Sequence, residues 1–334
     1  MEERLAARAD LPFRPIETGQ LRGRAPWAAA RSLWHMRSGL QRSLQLMQSF
    51  SPDVVFVTGG YVCAPVVVAA RRQGRPVFIY LPDLTPGLAV RWLSRLAQQV
   101  AVTCPEAARF FGSKAVITGY PVRPALLEAA GDRAAARLGF ELDAREKTLL
   151  VFGGSRGARS INRALTACLP QLLPICQVIH ISGRLDWPWI QEQAGKLPAA
   201  LRARYRPFAY LDEQMAQALG AADLVLSRSG AATLGEYPVL GLPSLLVPYP
   251  HAGRHQEANA LYLASRGAAQ VLDDAALGDG LLPALLGLLG DETALVLMGE
   301  RALELAEPEG AQRISEALRT LAQASLLCGQ AYRA

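Results

Sequence analysis

The chain has 334 residues, of which 51% are hydrophobic and 19% charged; this composition excludes a disordered protein and predicts about two globular domains. The net charge is +6 at pH 7, and the longest apolar runs, near 62–70 and 281–290, are too short to span a bilayer. The five cysteines lack CxxC spacing, which argues against a disulfide framework and a structural zinc site.

An arginine-rich segment without any acidic residue occupies positions 18–52. Five apolar residues recur there at helical spacing and predict a helix whose apolar stripe packs in the core: Leu33, Met36, Leu40, Leu44 and Met47. Trp27, Arg31 and Trp34 lie partly off this stripe. Two interpretations stay open for them, a solvated basic face and contact with an anionic membrane surface. Nucleic-acid binding is not expected, because the basic residues follow no recognisable motif.

Seven short apolar runs end at glycine, proline or a polar turn and give way to helical patterns. They cover residues 53–58, 77–81, 115–118, 148–152, 178–181, 223–226 and 244–247. Apolar strands that alternate with helices are typical of buried parallel sheets, so the predicted fold class is α/β.

A charged, alanine-rich stretch over 128–147 predicts a short helix that ends at Gly139 and then a linker. We therefore expect an N-terminal domain over 1–140 and a C-terminal domain over 147–309. The apolar stripe of the last helix, 310–330, leads us to expect that this helix joins the N-terminal domain.

The turns that follow the predicted strands are the places to look for ligands, because open parallel sheets bind ligands beyond the carboxyl ends of their strands. In the N-terminal domain, Gly59, Gly60 and Tyr61 follow the first strand. This turn is a candidate for holding a phosphate of an acceptor, and a plain turn is the alternative.

Three further turns follow strands of the C-terminal domain. GGSRGA at 153–158 precedes a helix, and its N–H groups and the helix dipole favour an anion. In RSGAATLGE, Gly230 begins a second such helix, and Glu236, about two turns into it, is placed for the hydroxyls of a ribose. In HAGRHQEAN, His255 and Gln256 are candidates for sugar contacts. Plain turns and a surface glutamate are the alternatives. The chain has four histidines and no carboxylate at ligand spacing, so no metal is expected.

Five motifs resemble, in order and spacing, those of the MurG-type glycosyltransferases of bacterial cell-wall synthesis: PDVVFVTGGYVCAP, GYPVR, VFGGSRGARSIN, SRSGAATLGE and VPYPHAGRHQEANA. The resemblance runs from about residue 1 to residue 324. It implies a GT-B fold, in which two Rossmann-like parallel-sheet domains face a cleft. It also implies transfer of N-acetylglucosamine from UDP-N-acetylglucosamine to lipid I, an undecaprenyl-diphosphate-linked acceptor, with inversion and without a metal or cofactor. The product, lipid II, serves peptidoglycan synthesis and hence cell shape and division.

The resemblance further implies a peripheral protein at the cytoplasmic face of the cell membrane, with partners in cell-wall synthesis. It assigns roles to single residues. Ser155 matches the position beside the UDP phosphates, and Arg123 matches an inter-domain arginine near the nucleotide. Leu211 matches the residue whose backbone reads uracil, and Glu236 matches the ribose-binding glutamate.

The sequence departs from this family in three places. His255 and Gln256 align with two sugar-contacting glutamines, one of which is a histidine here. Tyr-Leu-Pro-Asp at 80–83 stands where the family typically has His-Glu-Gln-Asn, so Asp83 is a candidate general base for the attacking hydroxyl. The chain also begins just after the family's second strand, without its GGTGGH-like loop. We therefore expect an incomplete N-terminal domain, through a misassigned start codon or because the chain is a fragment.

Three alternatives to this function stay open. The first is a related transferase with another lipid or small-molecule acceptor, which the altered 80–83 stretch favours. The second is an inactive protein that binds UDP-sugars, which the missing loop favours. The third is one half of a split enzyme that needs a partner chain.

Overall fold

The computed structural model describes residues 2–16, 26–129, 131–154, 157–251 and 254–331. Within them, ten strands form two sheets: β1 (Val55–Val57), β2 (Val77–Leu81), β3 (Gln99–Val102), β4 (Ala115–Ile117), β5 (Thr148–Phe152), β6 (Gln177–Ile181), β7 (Tyr205–Phe208), β8 (Leu224–Ser227), β9 (Ser244–Leu246) and β10 (Ala269–Val271). All recorded strand pairs are parallel. The α/β fold class is confirmed.

Helices connect the strands and cover the sheets. In chain order they are α1 (Glu2–Arg8), α2 (Pro26–Phe50), α3 (Ala64–Arg72), α4 (Leu88–Leu93), α5 (Pro105–Ala108), α6 (Pro124–Ala129), α7 (Arg133–Leu138), α8 (Arg159–Leu172), α9 (Trp187–Lys196), α10 (Ala199–Arg202), α11 (Met215–Ala221), α12 (Glu236–Leu240), α13 (His255–Ala264), α14 (Leu277–Gly290), α15 (Glu292–Leu303) and α16 (Gly310–Ala331).

The N-terminal sheet has the strand order β1-β2-β3-β4. Every residue of β2 is buried, and its side chains alternate between the two faces. On one face, Val77 and Ile79 share a core with Met47 of α2 and with α3. On the other face, Phe78 packs with Ile314 of α16. The last helix of the chain therefore lies on the N-terminal sheet.

The C-terminal sheet has the order β10-β9-β8-β5-β6-β7, with β5 inside it. Leu149 of β5 packs with α8 and α14 on one face. Leu150 packs on the other face, in a core that also contains Leu126 of α6 and Ala136 of α7. These two helices precede residue 140, where the sequence places the end of the N-terminal domain, yet they are packed with the C-terminal sheet. The domain limits stay a prediction.

All seven predicted strands are present, with ends that differ by up to two residues. Three strands were not predicted: β3, β7 and β10. The strands β7 and β10 are the two edges of the C-terminal sheet, whereas β3 lies inside the N-terminal one.

The predicted amphipathic helix is α2. Of its apolar stripe, Met47 is buried, and Leu40 and Leu44 are partly buried against the N-terminal core. Trp34 is 65% exposed. The side chains of Trp27, Arg31 and Leu33 lie outside the described part of the chain.

No single helix among the described residues is both long and apolar enough to cross a membrane. One pair of helices, Asp274–Gly290 and Glu292–Leu303, reaches the required length and hydropathy only when taken together, and it is bent by 89°.

Candidate active site

Two of the cavities bordered by the described residues concern the site, and both lie at the carboxyl ends of strands. The N-cavity, of about 720 Å³, is lined by Gly60 and Tyr61 after β1, by Asp83 after β2, and by His255 of α13. The C-cavity, of about 760 Å³, is lined by residues that follow β5, β6, β8 and β9, and by Gln256 of α13. Because His255 and Gln256 are consecutive, the start of α13 borders both cavities. Each sheet therefore has one cavity at its carboxyl edge, and the two cavities meet at the start of α13.

The glycine-rich turn after β5 forms one wall of the C-cavity. A Cβ on Gly153 would lie 2.2 Å from the backbone nitrogen of Ala158, and a Cβ on Gly157, whose φ is 76°, would lie 2.3 Å from the carbonyl oxygen of Ser182. Both positions require glycine because backbone packs against backbone there. The predicted phosphate neighbour, Ser155, lies outside the described residues. The turn leads directly into α8, whose N-terminus therefore borders the cavity.

In the turn after β8, which contains Gly230, the helix begins later than the sequence predicts. A four-residue 3-10 turn, Ala231–Leu234, follows Gly230, and Glu236 is the first residue of α12 rather than two turns into a helix. A Cβ on Gly230 would meet no atom within 4 Å. The carboxylate of Glu236 lies 3.7 Å from the guanidinium of Arg123. Burial raises the pKa of Glu236, and the charge of Arg123 partly offsets that rise. The structure thus brings these two predicted donor residues together.

Leu211 follows β7 and is 7% exposed. Within the described part of the chain, its backbone N–H and C=O make no hydrogen bond. Next to it, Asp212 accepts a hydrogen bond from Arg8 of α1 at 2.8 Å. The position therefore offers one free donor and one free acceptor, which is what reading a base through the backbone requires.

His255 and Gln256 are held by different partners. The Nδ1 atom of His255 lies 3.0 Å from both the hydroxyl and the carbonyl oxygen of Thr85, so the ring faces the N-terminal sheet. The carbonyl contact indicates that Nδ1 carries the proton. The side-chain oxygen of Gln256 accepts the N–H of Tyr249 at 2.8 Å. Among the residues that the structure describes, Nε2 of each side chain has no hydrogen-bond partner and is therefore available to a ligand.

Asp83 is fixed by a residue of helix α13, which belongs to the C-terminal half of the chain. The amide nitrogen of Asn259, in α13, donates to Asp83 Oδ1 at 2.9 Å and to the carbonyl of Ser229 at 3.1 Å. Its amide oxygen accepts the N–H of Leu84 at 3.0 Å. Asn259 is completely buried, so its side chain joins the two halves of the site away from water. The structure brings Asp83 and His255 to the same cavity.

The turn after β1 also faces the N-cavity. Gly59 has a φ of 90°, and a Cβ there would lie 2.7 Å from Val90 of α4. Gly60, with a φ of 82°, precedes a short 3-10 turn, and Tyr61 is 47% exposed. These features fit the predicted acceptor-phosphate turn, which stays a prediction.

Sequence reasoning missed two arginine–carboxylate pairs that line the C-cavity. Arg228 pairs with Asp274 at 2.6 Å, and Arg159 pairs with Asp186 at 2.7 Å. Each pair joins residues that are 46 or 27 positions apart. The sequence shows that Arg228 lies in a motif, but no local feature identifies Asp274 as its partner. Asn259 was missed in the same way, although an asparagine between two alanines of a helix is a usable signal for a buried polar contact.

Comparison with known families and proteins matches nearly the whole chain. The family model described as the glycosyltransferase family 28 N-terminal domain matches residues 1–102, and that of the family 28 C-terminal domain matches residues 148–314. A relative from Roseiflexus sp. (strain RS-1) is 41% identical, with coverage of 96% of this chain and 81% of the relative. A relative from Bacillus subtilis (strain 168) is 34% identical, with coverage of 96% and 88%. Both relatives carry the name UDP-N-acetylglucosamine–N-acetylmuramyl-(pentapeptide) pyrophosphoryl-undecaprenol N-acetylglucosamine transferase.

Solved structures agree with this comparison. The crystal structure of Acinetobacter baumannii MurG has a TM-score of 0.73 and 27% identity, and the match covers 96% of this chain and 88% of that one. The UDP-GlcNAc 2-epimerase from Neisseria meningitidis, bound to UDP-GlcNAc, has a TM-score of 0.66 at 14% identity, with coverage of 96% and 88%. The second likeness shows the fold alone, and both support the predicted GT-B arrangement.

Proposed function

The chain belongs to the MurG-type UDP-N-acetylglucosamine transferases of glycosyltransferase family 28, and on that premise we propose that it transfers N-acetylglucosamine from UDP-N-acetylglucosamine to an N-acetylmuramyl pyrophosphoryl-undecaprenol acceptor. The reaction converts lipid I into lipid II in peptidoglycan synthesis. One observation carries the proposal: two cavities of similar volume, each at the carboxyl ends of one sheet, adjoin at α13. A donor and an acceptor bound in them would meet there.

In this proposal the donor occupies the C-cavity and its surroundings. The backbone of Leu211 reads the uracil, and Glu236, held near Arg123, binds the ribose hydroxyls. The diphosphate lies at the turn that contains Ser155, where the N-terminus of the 14-residue helix α8 favours negative charge. Gly230 leaves open space on the neighbouring turn. These contacts stabilise the UDP as it leaves, without a metal.

The acceptor occupies the N-cavity, with its diphosphate at Gly59, Gly60 and Tyr61. Its hydroxyl oxygen attacks C1 of the sugar from the face opposite UDP, the bond between C1 and the phosphate oxygen breaks, and UDP leaves with the bonding electrons. The configuration at C1 inverts. The hydroxyl proton passes to Asp83. One carboxylate oxygen of Asp83 accepts a hydrogen bond from Asn259, and among the described residues the other oxygen accepts none. His255 and Gln256 contact the transferred sugar between the two cavities.

The lipid tail of the acceptor implies that the N-cavity opens toward a membrane, and we place the protein peripherally at the cytoplasmic face. Large apolar side chains are exposed at and near this cavity: Trp34, Tyr61, Val62, Leu88 and Trp92. Arg91 lies among them on α4 and is exposed. Apolar side chains that enter the headgroup region, together with cations, are typical of peripheral attachment to anionic lipids. Association with other cell-wall enzymes stays a prediction.

Replacing Trp92 by serine is expected to weaken binding to vesicles that contain anionic phospholipid by roughly tenfold or more, since burying a large apolar side chain contributes about 1.5–3 kcal/mol. Sedimentation with vesicles, without substrates, measures this. Leu297→Ser is the matched control, because Leu297 is 51% exposed and Trp92 is 50% exposed, but Leu297 lies on α15 of the other domain. An equal loss in both variants would contradict the proposed membrane face.

The donor assignment is tested by thermal unfolding with sugar nucleotides. At about 100 times its dissociation constant, UDP-N-acetylglucosamine is expected to add roughly 2.7 kcal/mol to the free energy of unfolding. UDP-glucose, UDP-galactose and GDP-mannose at the same concentration should add less. If a cooperatively melting sample responds to none of the four, the donor assignment is wrong.

A further inference from the structure

A line of buried polar groups runs from the edge of the C-terminal sheet to the rim of the C-cavity. The hydroxyl of Tyr205, on β7, lies 2.7 Å from Nδ1 of His180 on β6. Nε2 of His180 lies 3.0 Å from the amide oxygen of Asn162 on α8. The amide nitrogen of Asn162 donates to Asp186 Oδ2 at 2.9 Å. Asp186 Oδ1 in turn accepts hydrogen bonds from both Nε and Nη2 of Arg159, at 2.8 Å and 2.7 Å.

The donors and acceptors of this line fit only one arrangement. The amide nitrogen of Asn162 faces two acceptors, Asp186 and the carbonyl of Ser182, so its oxygen must face His180. Nε2 of His180 therefore carries the proton, and Nδ1 accepts the hydroxyl proton of Tyr205. Burial lowers the pKa of His180 to about 3, which keeps the ring neutral. Every link is satisfied, so the line is rigid.

Arg159 is the end of the line that reaches solvent. Its side chain is 62% exposed and lines the C-cavity at the first residue of α8. Among the described residues, its Nη1 has no hydrogen-bond partner, while Nε and Nη2 are fixed on Asp186. Arg228, the other arginine of the cavity, is 9% exposed and is engaged by Asp274, by Ser160 and by two backbone carbonyls. Arg159 is therefore the cation that has both a fixed orientation and a free N–H group.

We propose that Arg159 binds the diphosphate of the sugar nucleotide and that the line Tyr205–His180–Asn162–Asp186 is a positioning device that aims its guanidinium at that group. This inference rests on the proposed function. A free arginine loses side-chain entropy when it binds an anion, whereas one already held on a carboxylate loses less. The two carboxylate contacts also direct Nη1 away from Asp186. The inference therefore assigns Arg159 to diphosphate affinity and the four buried residues to its orientation.

The first test compares the binding of UDP and of uridine by calorimetry. Arg159→Ala is expected to weaken UDP binding roughly tenfold to a hundredfold, the effect of losing a charged hydrogen bond, and to change uridine binding less than about threefold. The matched control is Arg163→Ala, which removes the same charge from an exposed position one turn further along α8. It should change neither affinity.

Equal losses for UDP and uridine in Arg159→Ala, or no loss for UDP, would overturn the role of Arg159. Equal losses in the Arg159 and Arg163 variants would assign the effect to general charge and would also overturn it. A wild-type chain that folds but does not bind UDP contradicts the proposed function instead, so the two failures are distinguishable.

The second test addresses the positioning device at its far end. Tyr205→Phe removes one buried hydroxyl, on a residue that is 3% exposed and four hydrogen-bonded links away from Arg159. The ratio of UDP affinity to uridine affinity is expected to fall roughly threefold to tenfold, and Tyr205→Phe should have no further effect in the Arg159→Ala background. A merely structural tyrosine would lower the melting temperature and leave the ratio unchanged. An unchanged ratio in the folded variant would overturn the positioning role.

Discussion

Replacing Asp83 by asparagine is expected to lower kcat by roughly 10²–10⁴, with little change in the KM for UDP-N-acetylglucosamine, because a general base contributes about that factor to the chemical step. The amide keeps the shape of the carboxyl group and can still accept the hydrogen bond from Asn259. It cannot take the proton of the attacking hydroxyl. Steady-state transfer to a lipid-linked acceptor, with both substrates varied, measures the effect.

This substitution is informative for a second reason. The amide has nearly the shape of the carboxyl group that it replaces, so the variant is expected to fold, and its melting temperature should stay close to that of the wild type. Asp53→Asn, at an exposed position in the same domain, is the control for the loss of one negative charge. Turnover in Asp83→Asn equal to that of the control would show that Asp83 is not the base.

The parts of the fold that could be predicted are those whose signal is local. The strand β5 is a run of apolar residues followed by two glycines, and its burial on both faces matches that pattern. The strand β7, YRPF, contains an arginine and a proline, which a strand tolerates at a sheet edge, and an edge position depends on the rest of the sheet. The helix α6 has no local feature that distinguishes the two domains, so its packing on the C-terminal sheet could not be predicted.

The difference between local signals and tertiary packing also explains which parts of the site could be predicted. Glycines and single polar residues after strands identify positions at the site, as with Gly60 in the wall of the N-cavity and Glu236 beside Arg123. The partner of each residue is set by tertiary structure, so Asn259 as the anchor of Asp83, 176 positions away, was not visible in the sequence. The broken helix before Glu236 was missed because the 3-10 turn follows from close packing. A Cβ on Gly235 would lie 2.4 Å from Tyr120.

Asn259 is the residue on which the two halves of the site depend. Three groups from two turns converge on one buried amide: the Asp83 carboxylate, the Leu84 N–H and the Ser229 carbonyl. Two of them belong to the loop after β2, and the third belongs to the turn after β8. The candidate base is therefore oriented by the domain that is proposed to hold the donor. This arrangement links the position of the base to the contact between the domains.

Replacing Asn259 by alanine is expected to lower the free energy of unfolding by about 2–6 kcal/mol, because it leaves two buried backbone groups without partners at roughly 1–3 kcal/mol each. We also expect kcat to fall roughly tenfold, since a displaced catalytic group loses its alignment with the substrate. Urea denaturation and steady-state transfer measure the two effects. Glu257→Ala, an exposed change on the same helix, is the control and should alter neither.

The double variant Asp83→Asn, Asn259→Ala separates the two roles of this asparagine. If Asn259 acts on turnover only through Asp83, the second substitution adds little to the kcat loss of the first, while its cost in unfolding free energy stays nearly complete. The stability cost arises at Leu84 and Ser229, which Asp83→Asn leaves untouched. A kcat loss that simply adds would mean that Asn259 acts on the substrate by another route. A stability loss below about 1 kcal/mol would mean that its three hydrogen bonds are not formed together.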